Sequence, residues 1–428
     1  MNRHQVVVVG AGLAGLIAAR DLTRAGIDCV VLETAGRCGG RIETATWEGA
    51  RIELGAHFLG GRFRRVAAVV DDLGLSDELC PYPWRPAMTY RTHDGRTAVD
   101  PRKPFGAFTG GLVRGRDLAG AAPYLPHLVA GMLRADGGDL TTLRHLDSPA
   151  TARLLGNRLV SALSGPMFDV FFGYPHRTAS FPALMANAVQ LTHLDTLAGG
   201  MEQIVTKIAT SLPDVRTEHT ATSVAREGAT IRIVAESAGG PVEFLADAAV
   251  LATPADVTAE IWPGGDPAVR AHLESIRYSR LNLAYLRTDT RTDPGAEMMP
   301  VEFAPGSASL RGFLVLDDWC EDGGLLVAGA GADSPAAAAD DTELAEILTR
   351  EVERARPELA GHIVAARTVR GPRFMPVFDP GSARRLHRFR LSISDGAIAI
   401  AGDHAAAPGL EGAVASGHRA AQQIQTFF

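Results

Sequence analysis

Gln5-Val6-Val7-Val8-Val9-Gly10-Ala11-Gly12-Leu13-Ala14-Gly15 decides how the chain is read. Residues 5–9 are a continuous apolar run of strand length, the pattern of a parallel strand covered on both faces. Three glycines follow at the spacing G-x-G-x-x-G, and residues 16–25 read as a helix. A second β-like run, residues 28–32, ends in Glu33. Strand, glycines, helix, strand and an acidic residue about 20 positions on complete the dinucleotide fingerprint. Gly10 permits the tight turn, Gly12 lets a pyrophosphate approach the backbone, and Gly15 lets the helix pack on the strand, with Ala14 beside them. The helix N-terminus offers free N–H groups and positive dipole to phosphates. Glu33 is placed to accept hydrogen bonds from ribose hydroxyls. A cofactor containing ADP is expected here.

Outward from this unit come Gly36-Arg37-Cys38-Gly39-Gly40-Arg41, then Thr44, then Gly49-Ala50-Arg51-Ile52-Glu53-Leu54-Gly55-Ala56-His57-Phe58. A glycine pair with an arginine soon after the ribose-binding acid, followed by a small-residue segment, resembles the flavin amine oxidase superfamily. That group includes monoamine and polyamine oxidases, protoporphyrinogen oxidase and phytoene-desaturase-like enzymes. The resemblance implies FAD rather than NAD. It puts Gly40 and Arg41 at the pyrophosphate or ribityl side, and Gly55 and Ala56 along the flavin ring.

The C-terminus resembles the family's closing motif. An apolar strand (396–401) precedes Gly402-Asp403-His404, and Leu410-Glu411-Gly412-Ala413 opens a helix to the end. By this resemblance Gly402 and Asp403 face the ribityl or phosphate side. Glu411, Gly412 and Ala413 mark a helix N-terminus whose dipole points at the flavin's pyrimidine edge. Mid-chain, Gly199-Gly200 opens a helix (202–211), followed by β runs at 215–218 and 221–225, a hairpin (231–235, 242–245) and a strand (248–252). Val224 is the candidate for a backbone contact to adenine, with an ordinary core valine as the other reading.

The expected fold class is α/β: a Rossmann-type FAD-binding domain (1–60, 195–255 and 370–428) interleaved with an α+β substrate-binding domain with a helical part (61–194 and 256–369). Within the latter, residues 66–73, 118–135, 148–163 and 340–356 read as helices. Residues 282–286, 312–315 and 324–329 read as strands. Residues 123–133 are apolar on more than one face, as in a core helix, a pocket wall or a membrane-touching surface.

Composition narrows the function. The 428 residues carry 42 basic and 49 acidic side chains, a net charge of −7, so no diffuse positive field exists for nucleic acid. Only Lys103 and Lys207 are lysines, which removes nearly all lysine chemistry. Cys29, Cys38, Cys80 and Cys320 lack the paired spacing of a disulfide framework or zinc cluster, so no metal is expected. No signal-peptide pattern and no bilayer-length apolar run is present. The expectation is a cytoplasmic protein, with room for peripheral membrane contact and an oligomeric state left open.

The chemistry implied by the resemblance is hydride removal by FAD, with O2 or another electron acceptor downstream. No cysteine lies near the C-terminal flavin segment, so FAD is expected to be non-covalent. Two departures from amine oxidases bear on substrate. Asn282 or a neighbour stands where those enzymes place a lysine near the flavin, and Gly409 stands where they place one ring of an aromatic cage. Phe374, Met375 and Phe378, in a proline–aromatic–glycine stretch, are expected to line the substrate pocket with Gly409. His57 and His404 are the candidates for proton handling, with Asn282 as a third catalytic position. These features point to oxidation of a small, largely apolar organic substrate to form C=C or C=N. The alternatives are an amine oxidase whose cage is rebuilt from rings such as Tyr90, Tyr174 or Trp319, and a flavoprotein performing a non-redox step such as isomerisation.

Overall fold

The computed structural model describes residues 2–82, 88–92, 95–99, 115–153, 168, 171–190, 193–292, 296–298, 309–331, 334–393 and 395–428. Val6–Val9 are at most 2% exposed, because the strand Asn2–Val9 lies between two parallel neighbours and under helices. Val6–Val9 run in register with Cys29–Leu32 on one side, and Asn2–Val9 with residues 244–251 on the other. Among the described residues the sheet has seven strands. Its order is Val215–Arg216, Cys29–Leu32, Asn2–Val9, Gly240–Leu251, Thr230–Ser237 and Thr220–Glu227, with Ile398–Ile400 also paired to Gly240–Leu251.

One expectation changes here. The run at 242–245 and the strand at 248–252 are a single strand, Gly240–Leu251. Its first half pairs antiparallel with Thr230–Ser237, and its last three residues pair parallel with Ile398–Ile400 along the same edge. Exchanging partners along one edge removes the need for a turn at Ala246-Asp247.

The helix Leu13–Arg24 packs beside the C-terminal helix Leu410–Phe427. A Cβ at Gly417 would fall 2.5 Å from the Ala14 carbonyl oxygen, so the close approach requires glycine. Further along, Gln425 donates to the Asp21 carbonyl at 3.3 Å. The two helices therefore run parallel, and both N-termini, Leu13 and Leu410, face the same end of the sheet.

A second sheet runs Ile363–Gly371, Leu281–Thr288, Gly324–Ala330, Leu310–Val315, Ala296–Met298, Met88–Thr92, Gly95–Val99. Side chains on Leu281–Thr288 alternate with the period of two that a strand imposes. Leu281, Leu283 and Tyr285 join a cluster with Ile52, Tyr82 and Trp319. Ala284 and Leu286 face Leu344, Leu348 and Val352 of the helix Asp341–Ala355. The ribbon Thr44–Trp47 and Ala50–Glu53 reaches the second sheet through the Tyr285 hydroxyl, which donates to the Glu53 carbonyl at 2.7 Å.

The helix expected over 118–135 is broken into Gly115–Ala121, a 3-10 turn Ala122–Tyr124, and Leu125–Arg134, with Pro123 and Pro126 at the joints. Its outer face leaves Leu125, Val129 and Leu133 exposed, while Gly131 lies against Met185. Of the helix expected at 148–163, Pro149–Ala152 is present under a Ser148 capping box, and most of the remainder lies outside the described residues. Among the described residues no helix is long and apolar enough to cross a membrane.

Candidate active site

The cofactor cradle begins where the first strand ends. Gly10 has φ +104°, a conformation L side chains rarely adopt, and a Cβ there would lie 2.8 Å from the Ala252 carbonyl oxygen. A Cβ at Gly15 would fall 2.0 Å from the Gly10 carbonyl oxygen, so helix and turn touch through backbone alone. At Gly12 the situation reverses: an added Cβ meets no protein atom within 4 Å. Gly12 is also the N-cap of the helix and has no side-chain cap, which leaves first-turn amides for a ligand. The second glycine loop lies against the first. The Gly39 amide donates to the Ala11 carbonyl at 2.8 Å, and a Cβ at Gly40 would sit 3.3 Å from the Gly12 Cα.

Glu33 accepts from the Ala11 amide at 2.8 Å and the Ala35 amide at 2.9 Å. It therefore holds the glycine turn, and each carboxylate oxygen keeps a lone pair free of these amides. These features fit a dinucleotide: uncapped helix amides, room beside Gly12, and a carboxylate at the end of the second strand. Val224 is buried in the core and pairs with Ile233 in the edge strand Thr220–Glu227.

Just past the second glycine loop, Arg41 meets Asp403. Arg41 donates to the two Asp403 carboxylate oxygens at 2.7 and 2.9 Å, and to the Phe374 carbonyl at 2.6 Å. Sequence reasoning sent both to the cofactor separately; the structure joins them as a two-pronged pair with Asp403 buried. Gly55 and Ala56 pack directly on this arginine. A Cβ at Gly55 would lie 2.0 Å from the Arg41 carbonyl oxygen, which accepts from the Ala56 amide at 3.0 Å. The Gly402 amide donates to Ser416 Oγ at 2.9 Å, tying this loop to the C-terminal helix. Gly412 approaches the Ala407 backbone too closely for any side chain, and Ala413 follows it in the first turns of that helix.

Glu411, in the first turn of the helix Leu410–Phe427, also has a part that sequence reasoning did not give it. Its buried carboxylate points away from the cradle, accepting from the Arg65 and Val66 amides at 3.0 Å and pairing with the Arg65 guanidinium at 3.2 Å. The helix Arg64–Asp72 has no cap of its own, and Glu411 supplies it.

Asn282 corrects an expectation. It lies on the opposite face of its strand from Leu281, Leu283 and Tyr285, where its Oδ1 accepts from Arg370 at 3.3 Å. Phe378 corrects another: it is buried in the core of the first sheet, and its carbonyl accepts from the Ser180 amide at 2.6 Å. Phe374 packs against the aromatic cluster. Met375 and Gly409 are neighbours, a Cβ at Gly409 lying 3.6 Å from the Met375 methyl carbon.

His57 is half-buried, between Tyr82 and Tyr285. Its ring stacks on Tyr285 at 6.1 Å and 11°. The Tyr285 hydroxyl spends its proton on the Glu53 carbonyl (2.7 Å) and accepts from the Glu53 amide (3.0 Å). His57 Nε2, 3.5 Å away, can face it only as a donor. That leaves Nδ1 to accept from the Tyr82 hydroxyl, 3.4 Å away. Burial lowers both His57 and His404 to about 4, so both rings are neutral near pH 7. His404 Nε2 has no hydrogen-bond partner among the described residues. The buried Glu53 carboxyl is pushed the other way, up to about 7, opposed by the Thr44 hydroxyl and the Met201 amide.

Trp319, one of the rings expected for a rebuilt cage, is joined by Phe58, Tyr82 and Phe171, which sequence reasoning gave no such part. Phe58 meets Tyr82 at 5.4 Å and Phe171 at 5.0 Å, and Tyr82 meets Trp319 edge-on at 5.7 Å. The Arg51 guanidinium lies 4.3 Å over Trp319. Tyr174 belongs to a different cluster with Phe168, and the Tyr90 side chain lies outside the described residues. Among the described residues no three His, Cys, Asp or Glu side chains gather as metal ligands.

Compared with known proteins, residues 13–425 match the flavin containing amine oxidoreductase family. Putrescine oxidase of Kocuria rosea is 49% identical over 72 residues, 17% of this chain and 15% of its own length. (S)-6-hydroxynicotine oxidase of Paenarthrobacter nicotinovorans is 26% identical over 276 residues, 59% of this chain and 60% of its own length. These matches span less than two thirds of either relative. Among solved structures, putrescine oxidase bound to putrescine has a TM-score of 0.76 at 19% identity over 99% of both chains. A fatty acid isomerase from P. acnes gives 0.72 at 17%, again over 99% of both. At such identities the likeness shows the fold, a mixed α/β one.

Proposed function

We propose that this chain, which belongs to the flavin containing amine oxidoreductase family, is an FAD-dependent oxidoreductase that takes hydride from a small, largely apolar organic substrate, forming C=C or C=N. Segments 1–60, 195–255 and 370–428 hold non-covalent FAD in this reading, and 61–194 and 256–369 hold substrate. The observation that carries it is the face of residues 281–285 turned to the aromatic cluster, which presents Leu281, Leu283 and Tyr285. Of the two lysines, Lys207 binds the Leu73 carbonyl, and Lys103 lies outside the described residues. Gly409, beside Met375, offers no ring for one side of an amine cage.

When bound, FAD supplies the hydride-accepting ring. The uncapped helix amides and Gly12 would hold its pyrophosphate, Glu33 its ribose, and the Arg41–Asp403 pair with Gly55 and Ala56 would flank its flavin half. Phe58, Phe171, Phe374 and Met375 exclude water and bury apolar substrate surface, at about 25 cal/mol per Å2. His57, neutral with Nδ1 facing the Tyr82 hydroxyl, holds a proton site at the edge of this wall. Asn282, on the far face, is given no catalytic part.

The ring cluster Phe58–Tyr82–Trp319 favours a second reading, an amine oxidase with a rebuilt cage. Anaerobic stopped-flow reduction of the bound flavin by matched primary amines, neutral apolar heterocycles and unsaturable hydrocarbons separates the readings. Reduction by the neutral set supports the proposal. Rapid reduction by ordinary amines alone overturns it, and substrate turnover without any flavin reduction points to isomerisation.

A further inference from the structure

Next to the Gly402-Asp403-His404 loop, two arginines converge on one carbonyl. Arg390 donates to the Ala405 carbonyl through Nε at 3.1 Å and Nη2 at 2.9 Å, and Arg419 donates to the same oxygen at 2.7 Å. A carbonyl oxygen has two lone pairs, so three donors saturate it. Arg390 finds a further acceptor in Asp139, at 2.8 Å. Arg419 has no carboxylate within ion-pair distance among the described residues, and most of its five N–H donors have no protein acceptor there. Burial, and the neighbouring Arg390, lower its pKa to about 10.

Beside these guanidinium groups is a half-enclosed cavity of about 50 Å3, lined by Phe389, Arg390, Ile393, Ala405, Arg419 and Gln423 among others. One water needs about 10–15 Å3 of such space, so the cavity admits a few atoms and no more. The Gln423 amide nitrogen, the donor on the third wall, is already committed to the Asp395 and Ile398 carbonyls at 3.3 and 3.0 Å. The cavity therefore combines surplus cationic donors, a shortage of acceptors and room for a small group only.

We propose that Arg419 and Arg390 bind a small monovalent anion in this cavity, chloride or a carboxylate as small as formate. Such an anion supplies the acceptor Arg419 lacks and braces the Ala405 carbonyl, hence the loop whose Asp403 holds Arg41. The site is separate from the substrate pocket and does not depend on the substrate proposed above.

The test uses the FAD-loaded enzyme at constant ionic strength, with sodium gluconate, too large for the cavity, replaced stepwise by sodium chloride or formate. A ligand that binds the folded state raises Tm with the logarithm of its concentration above Kd. The expected result is such a rise in wild type and its loss in Arg419→Met, with FAD content unchanged. In parallel, a crystal of the wild-type enzyme in sodium bromide should show an anomalous peak between Arg390 and Arg419, which keeps the proposal testable should the variant fail to fold. A Tm indifferent to the anion, an equal rise in Arg419→Met, or a bromide-free cavity filled by water would each overturn it.

Discussion

Glu53→Gln is expected to stabilise the protein at high pH and leave it nearly unchanged at low pH. The carboxyl is fully buried. It accepts from the Thr44 hydroxyl at 2.7 Å and the Met201 amide at 3.1 Å, and Arg51 is 3.9 Å away. These contacts do not offset the loss of water, and its pKa rises from 4.5 to about 7. A raised acid contributes fully below its unfolded pKa, where both states are protonated; above it the unfolded chain releases a proton that the native state keeps, which favours unfolding as pH rises. Stability is lost as pH rises from about 4.5 to about 7. At about 1.4 kcal/mol per pH unit this amounts to about 3 kcal/mol by pH 8. With about 2.1 cal/mol/K of unfolding entropy per residue, 428 residues make this a Tm difference of about 3 °C. His57, His272 and His404, each lowered to about 4 by burial, work in the opposite sense: their contribution is present above about 6.5 and lost as pH falls toward 4. They act equally in both proteins and cancel in the difference. The assay is differential scanning fluorimetry of both FAD-loaded proteins from pH 5 to pH 8. Glutamine keeps an acceptor for Met201, so the variant should gain on wild type as pH rises. A pH-independent difference, or a variant that falls behind toward pH 8, would refute the argument.

Gly12→Val fills the space beside the helix amides and should abolish FAD binding, read as loss of the absorbance ratio at 450 to 280 nm. Glu33→Ala should weaken it less, though it also releases the Ala11 and Ala35 amides, each hydrogen bond to a carboxylate counting for about 1.5–3 kcal/mol. Gly417→Ala drives a methyl to 2.5 Å from the Ala14 carbonyl oxygen and should lower stability by about 1–3 kcal/mol in thermal unfolding.

The cofactor cradle was legible because its determinants are local. Gly10, Gly12, Gly15 and Glu33 owe their roles to neighbours in the same strand–turn–helix–strand unit, and the backbone alone dictates which positions must lack a Cβ. The Arg41–Asp403 pair and the Glu411 cap on Arg64–Asp72 were not legible in that way. Each links segments more than 300 residues apart, and no spacing rule says whether a carboxylate beside a cofactor motif faces the cofactor or another element. For Glu411 the decisive fact was a helix elsewhere without a cap.

Asn282 shows a different kind of failure, because the information was present. In Leu281-Asn282-Leu283-Ala284-Tyr285 the period of two assigns Asn282 and Ala284 to one face and Leu281, Leu283 and Tyr285 to the other. Matching a lysine position by resemblance identifies the strand but is open to a shift of one residue, and such a shift inverts the face. The helix Asp341–Ala355 covers the Ala284 and Leu286 side, so a polar group at 282 can reach Arg370 and cannot join His57 and Tyr82. At 281–285 the side chains that can are apolar or phenolic. That face, rather than the motif that led to the strand, favours a substrate bound through apolar contact.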